Sequence, residues 1–131
     1  MSYERLLEAF YKADAGEQWR SFARAVVVAT RDAGGHSADV ERLVRSGAVL
    51  VEQRASEDAL KAHRVAVWRF LEAKNGSSAI VRDADDRALR ALLTVLEPVE
   101  DEGTAAECAE WVEEVLTSYS AVSAERRDTS R

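Results

Sequence analysis

EQWRSFARAVVVATRDAGGH, residues 17–36, carries the pattern that decides the fold. Trp19, Phe22, Ala23, Val26, Thr30 and Ala33 recur at steps of three and four, which sets them on one side of a helix, with Arg20, Arg24 and Arg31 on the other. The Gly34-Gly35 pair then supplies the left-handed backbone that stops a helix. Sequence with this spacing buries one stripe and solvates the opposite face, so it needs neighbours of the same kind.

The neighbours are present on both sides. Upstream, Leu6, Leu7, Phe10 and Tyr11 follow a Ser2 cap and stop at Gly16. Downstream, Ser37 caps a stripe of Val40, Leu43, Val44, Gly47, Leu50 and Val51, with Gly47 open to two uses, a close helix contact or a break. Ser56 caps the next helix, in which Leu60, His63, Val67, Phe70 and Leu71 share a face widened by Ala59, Ala66 and Trp68; this helix is expected to be central. A loop at Asn75-Gly76-Ser77-Ser78 leads to an Asp83 cap and a Leu89, Leu92, Leu93, Leu96 stripe that Pro98 should stop. Thr104, paired with Glu107 as a capping box, is expected to open the last helix, lined by Ala105, Cys108, Val112, Val115, Tyr119 and Val122.

The fold class is therefore all-α, a compact bundle or orthogonal array of five to six amphipathic helices. With 131 residues, of which 47% are hydrophobic, the chain can bury one core, assigned to residues 1–122 as a single domain, with a polar tail at 123–131 expected to fray. The longest apolar run, residues 25–29, is far short of the roughly 20 residues that span a bilayer. The first residues lack the basic-then-apolar order of an export signal, and a single cysteine, Cys108, fits a reducing compartment; a cytoplasmic location is expected.

Catalytic and metal chemistry find little purchase. One cysteine and two histidines, far apart, build no zinc site of ordinary spacing, and Asp83-Ala84-Asp85-Asp86 lacks the glycine and distant glutamate of a calcium loop. Neither cofactor nor metal is expected. His63 lies within an apolar stripe, where one hydrogen bond to a neighbour is its expected role, and Cys108 faces inward as a small filler.

Charge is distributed unevenly. Residues 1–96 hold 15 basic and 14 acidic side chains, whereas residues 97–125 hold nine acidic and no basic ones; the whole chain carries −6. Glu100, Asp101 and Glu102 begin the acidic stretch, and Glu107, Glu110, Glu113 and Glu114 continue it along the outer side of the last helix. Such a face either is merely solvated or docks a protein partner with a basic surface, which its field would steer. Arg20, Arg24 and Arg31 form a counterpart that could hold an anion, pair with the acidic helix or meet a second subunit. Overall acidity and the absence of interleaved aromatics weigh against direct nucleic-acid binding. Trp19, Trp68 and Trp111 are many large aromatics for a small bundle and leave self-association open.

Arg31-x4-His36, with Asp32 beside the arginine, resembles the Arg-x4-6-His motif of HEPN-domain ribonucleases, small helical bundles that act as dimers. The resemblance implies a metal-independent ribonuclease in which His36 moves the 2'-hydroxyl proton and Arg31 holds the phosphate. It covers six residues, and the two glycines inside it cost a helix about 2 kcal/mol relative to alanine. The first-ranked expectation is a non-enzymatic protein-interaction module, adaptor or inhibitor-like, that presents its acidic last helix; the ribonuclease ranks second.

Overall fold

The computed structural model describes residues 3–76 and 81–129, with side chains placed as far as Thr117. It is all-α, with six helices among the described residues: α1 (Tyr3–Tyr11), α2 (Gln18–Ala33), α3 (Ala38–Glu52), α4 (Glu57–Asn75), α5 (Ala84–Leu93) and α6 (Glu102–Thr129). The Ser2 cap, most of the loop after Gly76, and the Tyr119 and Val122 side chains lie outside the described residues. Backbone helix continues to Thr129, past the Ser123 at which the tail was expected to begin.

Local chemistry starts three of these helices where the sequence says it should. Ser37 and Ser56 accept from the backbone N–H groups of Val40 and Ala59 at 3.3 and 3.2 Å, and Asp83 accepts from Asp86 N–H at 3.0 Å. At the far end of α2, Gly34 and Gly35 have φ of 63° and 84°, a region costly for any residue with a Cβ. Gly34 N–H still reaches Thr30 O, and the next helix starts within four residues.

The centre of the molecule is α5, not α4. The short α5 packs against α2, α3, α4 and α6, and Asp86, Arg87, Ala88, Leu89, Ala91 and Leu92 are all buried on it. By contrast α4 packs, among the described residues, only on α3 and α5, burying Leu60, Val67 and Leu71 and leaving Val65 and Trp68 exposed. The broad apolar face that suggested a central helix includes Ala66 and Trp68, which look outward; apolar width does not require burial on every side. Gly47 is a contact and not a break: α3 runs through it, and a Cβ there would come within 2.8 Å of Leu92 Cδ1. A glycine there lets α3 lie close to α5.

Two boundaries differ from expectation. The α5 helix ends at Leu93, well short of Pro98, yet Val95, Leu96 and Val99 remain buried in the connecting turns. Apolar periodicity persisted past the helix because the connection itself packs on the core. The α6 helix begins at Glu102, and its cap is Asp101, whose carboxylate accepts from the backbone N–H of Thr104 at 2.8 Å and from its hydroxyl at 3.0 Å. Thr104 is thus the residue being capped, inside the first turn.

Candidate functional site

The acidic stretch of α6 is completed by α1. These two helices pack together, so Tyr3 and Glu4 at the start of α1 meet Glu110, Glu113, Glu114 and Thr117 around a recess of about 620 Å³. Glu4, Glu110 and Glu114 are exposed, while Glu113 is half-buried. Glu113 has a second duty, because its Oε2 accepts from Tyr3 N–H at 2.6 Å and so satisfies a donor at the N-terminus of α1. Among the described residues no lysine or arginine forms an ion pair with Glu4, Glu107, Glu110, Glu113 or Glu114. Helical spacing sets Glu107 and Glu114 on the same side as Trp111, whose ring is 41% exposed.

The remaining acidic candidates lie outside the recess. Glu100 and Glu102 are exposed before and at the start of α6. Asp101 is the helix cap, and the hydrogen bonds from Thr104 hold its carboxyl below the usual carboxylate range. Cys108 sits half-buried on this helix with its Sγ 4.0 Å from Thr94 O. Burial, then the charges of Glu107 and Glu97, push its thiol up, which keeps it protonated and a poor nucleophile.

The arginines of α2 are placed differently. Arg20 donates to Glu17 and to Glu52 O; Arg24 forks onto Glu52, with Nη2 2.8 Å from Oε2; Arg31 Nε lies 3.3 Å from Glu41 Oε2. None of them pairs with the acidic helix, because their partners stand on α3 or at the start of α2. Each partner responds to its cation. Hydrogen bonds from Arg20 and Arg54 lower the carboxyl of Glu17, and that from Arg24 lowers Glu52.

Glu41 also answers the question of Arg31 and His36. The two are brought together, but around a carboxylate: His36 Nε2 lies 2.9 Å from Glu41 Oε1, and Arg31 and Arg45 share Oε2. The His36 side chain is only 7% exposed. Glu41 is held low chiefly by the His36 hydrogen bond, then by the Arg31 charge. Arg87 from α5 donates to Gly34 O at 2.6 Å, closing the C-terminal end of α2 where a cation complements the helix dipole. In this geometry the segment is a capped helix end tied to α3. His63 has the single bond its stripe implied, Nε2 to Leu43 O at 2.9 Å.

Asp86 is the polar residue that sequence reasoning missed. It is fully buried, and Oδ1 accepts from Asn75 Nδ2 at 2.7 Å and Lys74 Nζ at 3.1 Å, while Oδ2 accepts from Arg82 N–H at 2.8 Å. Lys74 also contacts Asp83, so the end of α4 and the start of α5 are knotted together by two carboxylates, of which Asp86 is the buried one. Asp86 looked like one more acidic residue in a first helical turn, and only the Lys74-Asn75 pair hinted at partners. No helix among the described residues is long and apolar enough to cross a membrane, and no group of three His, Cys, Asp or Glu there could hold a metal ion. Compared with protein-family models, with curated proteins and with solved structures, the chain finds no match.

Proposed function

We propose that this chain is a non-enzymatic interaction module that receives a basic segment of a protein partner in the acidic recess between α1 and α6. The observation that carries the proposal is the lack of ion pairing: Glu4, Glu110 and Glu114 border one concavity, and among the described residues no lysine or arginine lines it or pairs with them. Elsewhere the chain matches carboxylates with arginines even across long sequence separations, as Arg24 with Glu52 and Arg54 with Glu17. Carboxylates left together raise the local negative potential, and a cationic partner relieves it. Trp111 supplies a flat, exposed ring beside the carboxylates on which a guanidinium can stack. An adaptor or an inhibitor that occupies a basic groove would use the same surface.

The test is direct binding of an arginine-rich peptide by calorimetry, at low and at high salt. Glu110→Gln/Glu114→Gln, which leaves the Glu113 bond to α1 intact, should weaken binding roughly tenfold, about 0.7 kcal/mol from each exposed charge. Glu57→Gln/Glu72→Gln, on α4, should leave it unchanged. Equal losses from both double variants would reduce the effect to net charge and remove the proposal.

A further inference from the structure

Asn75 is the chain's single asparagine, the last residue of α4, and Gly76 follows it. An asparagine side chain and the backbone nitrogen after it react most readily when that next residue is glycine, which has no side chain to shield the nitrogen. Gly76 is exposed, with φ of 65°, and among the described residues nothing stands within 4 Å of the place a Cβ would occupy. With open space around it, the nitrogen is restrained by hydrogen bonding alone.

Both reacting groups are held in that way. Gly76 N–H donates to Glu72 O at 2.8 Å, closing the end of α4. Asn75 Nδ2 donates to Asp86 Oδ1 at 2.7 Å, and Lys74 Nζ reaches the same oxygen at 3.1 Å. Asp86 is fully buried, so the amide is fixed by a carboxylate that water does not reach. Ring closure needs both bonds released, which requires the last turn of α4 to open and leave α5.

We propose that Asn75 is a site of spontaneous deamidation, restrained while the α4–α5 contact is closed and irreversible in its effect once the contact has opened. The Gly76 nitrogen gives up its proton to hydroxide and attacks Cγ of Asn75; the Cγ–Nδ2 bond breaks, and the nitrogen takes a proton from water and leaves as ammonia. Water then opens the cyclic imide at either carbonyl, leaving aspartate or isoaspartate at this position. The product sets a carboxylate where an N–H faced Asp86. Two carboxylates at that separation, one of them buried, cannot both stay ionised without repulsion, and the new charge also stands at the C-terminal end of a helix, where the dipole opposes it. A converted chain cannot rebuild the contact, so the α4–α5 joint ages in one direction. The reaction does not depend on what the acidic recess binds.

Incubation of the full chain at mildly alkaline pH, folded and in urea, followed by peptide mapping in a mass spectrometer, tests the proposal. Conversion should map to Asn75 and run roughly tenfold or more slower in the folded chain, following the fraction of time the contact is open. Lys74→Ala, which removes one tie on Asp86, should speed conversion of the folded chain severalfold. Asn75→Asp, one of the two products, should melt several degrees below Asn75→Ser, which loses the same bond without gaining a charge. Equal rates in the folded and unfolded chain, no conversion at Asn75 in urea, a Lys74→Ala rate equal to the parent's, or an Asn75→Asp chain as stable as Asn75→Ser would each overturn it.

Discussion

The α2–α3 edge and the α1–α6 edge each carry several carboxylates and treat them in opposite ways. On the first, Glu17, Glu41 and Glu52 each face one or more arginines, and their carboxyls are drawn below the ordinary range. On the second, Glu4, Glu110 and Glu114 share a recess without a cation among the described residues. The first arrangement ties two helices together. The second contributes nothing to holding α1 on α6 apart from the Glu113 bond to Tyr3 N–H, and it costs a few tenths of a kcal/mol per like-charged helical pair. Charge that a fold does not use for its own stability is free for another molecule.

The comparison breaks most sharply if buried and exposed pairs prove equivalent. Asp86→Ala removes a fully buried carboxylate and strands Lys74, Asn75 and Arg82 N–H, so a loss of about 3 to 5 kcal/mol is expected in denaturant unfolding. A loss below about 1 kcal/mol would mean that the α4–α5 knot is not formed in solution. Next in size, Gly47→Ala should cost about 1 to 3 kcal/mol, since the added carbon must displace Leu92 and Leu96. An unchanged midpoint would show that α3 and α5 lie farther apart than described.

Smaller effects separate the two edges themselves. Glu52→Gln should destabilise by less than about 1 kcal/mol, because its pair with Arg24 is solvent-exposed. Glu114→Gln should leave stability unchanged or raise it by a few tenths of a kcal/mol, having repulsion to relieve and no bond to lose. Opposite signs for these two variants are the expectation; a destabilising Glu114→Gln would reveal a cation at the recess.

Acid should act through the paired edge. The carboxyls of Glu17, Glu41 and Glu52 are lower in the folded chain than when unfolded, so their contribution is complete above the ordinary carboxylate value of about 4.3. It is lost as pH falls through the lowered values. Thermal midpoints should therefore drop in that window, and in Glu17→Gln/Glu41→Gln/Glu52→Gln the drop should be shallower. An identical profile would assign the acid sensitivity elsewhere.

Features set by neighbours in sequence were legible, and those set by neighbours in space were not. Ser37, Ser56 and Asp83 announce their helices because a cap acts over three residues, and Gly34-Gly35 ends α2 for equally local reasons. The burial of Asp86 depends on Lys74 and Asn75, and the role of Gly47 depends on Leu92; neither relation has a period to read. Most of the acidic site was visible as a charge run on α6. Glu4 was missed because it joins the recess only once α1 packs against that helix. The arginine stripe was visible too, yet its partners, Glu41 and Glu52, stand on the following helix and became apparent only with the α2–α3 packing.

The indole N–H signals of Trp19, Trp68 and Trp111 offer the most direct test of the central claim, since Trp111 stands one helical turn from Glu114 on α6, Trp19 sits half-buried against Val95 O, and Trp68 lies on α4. Titration with an arginine-rich peptide at low salt, with signals assigned by Trp111→Phe and Trp68→Phe, should move the Trp111 signal and leave the other two in place. Raising the salt, or introducing Glu110→Gln/Glu114→Gln, should return it towards its starting position. Movement of the Trp68 signal instead, or of all three equally, would contradict a basic-segment site between α1 and α6.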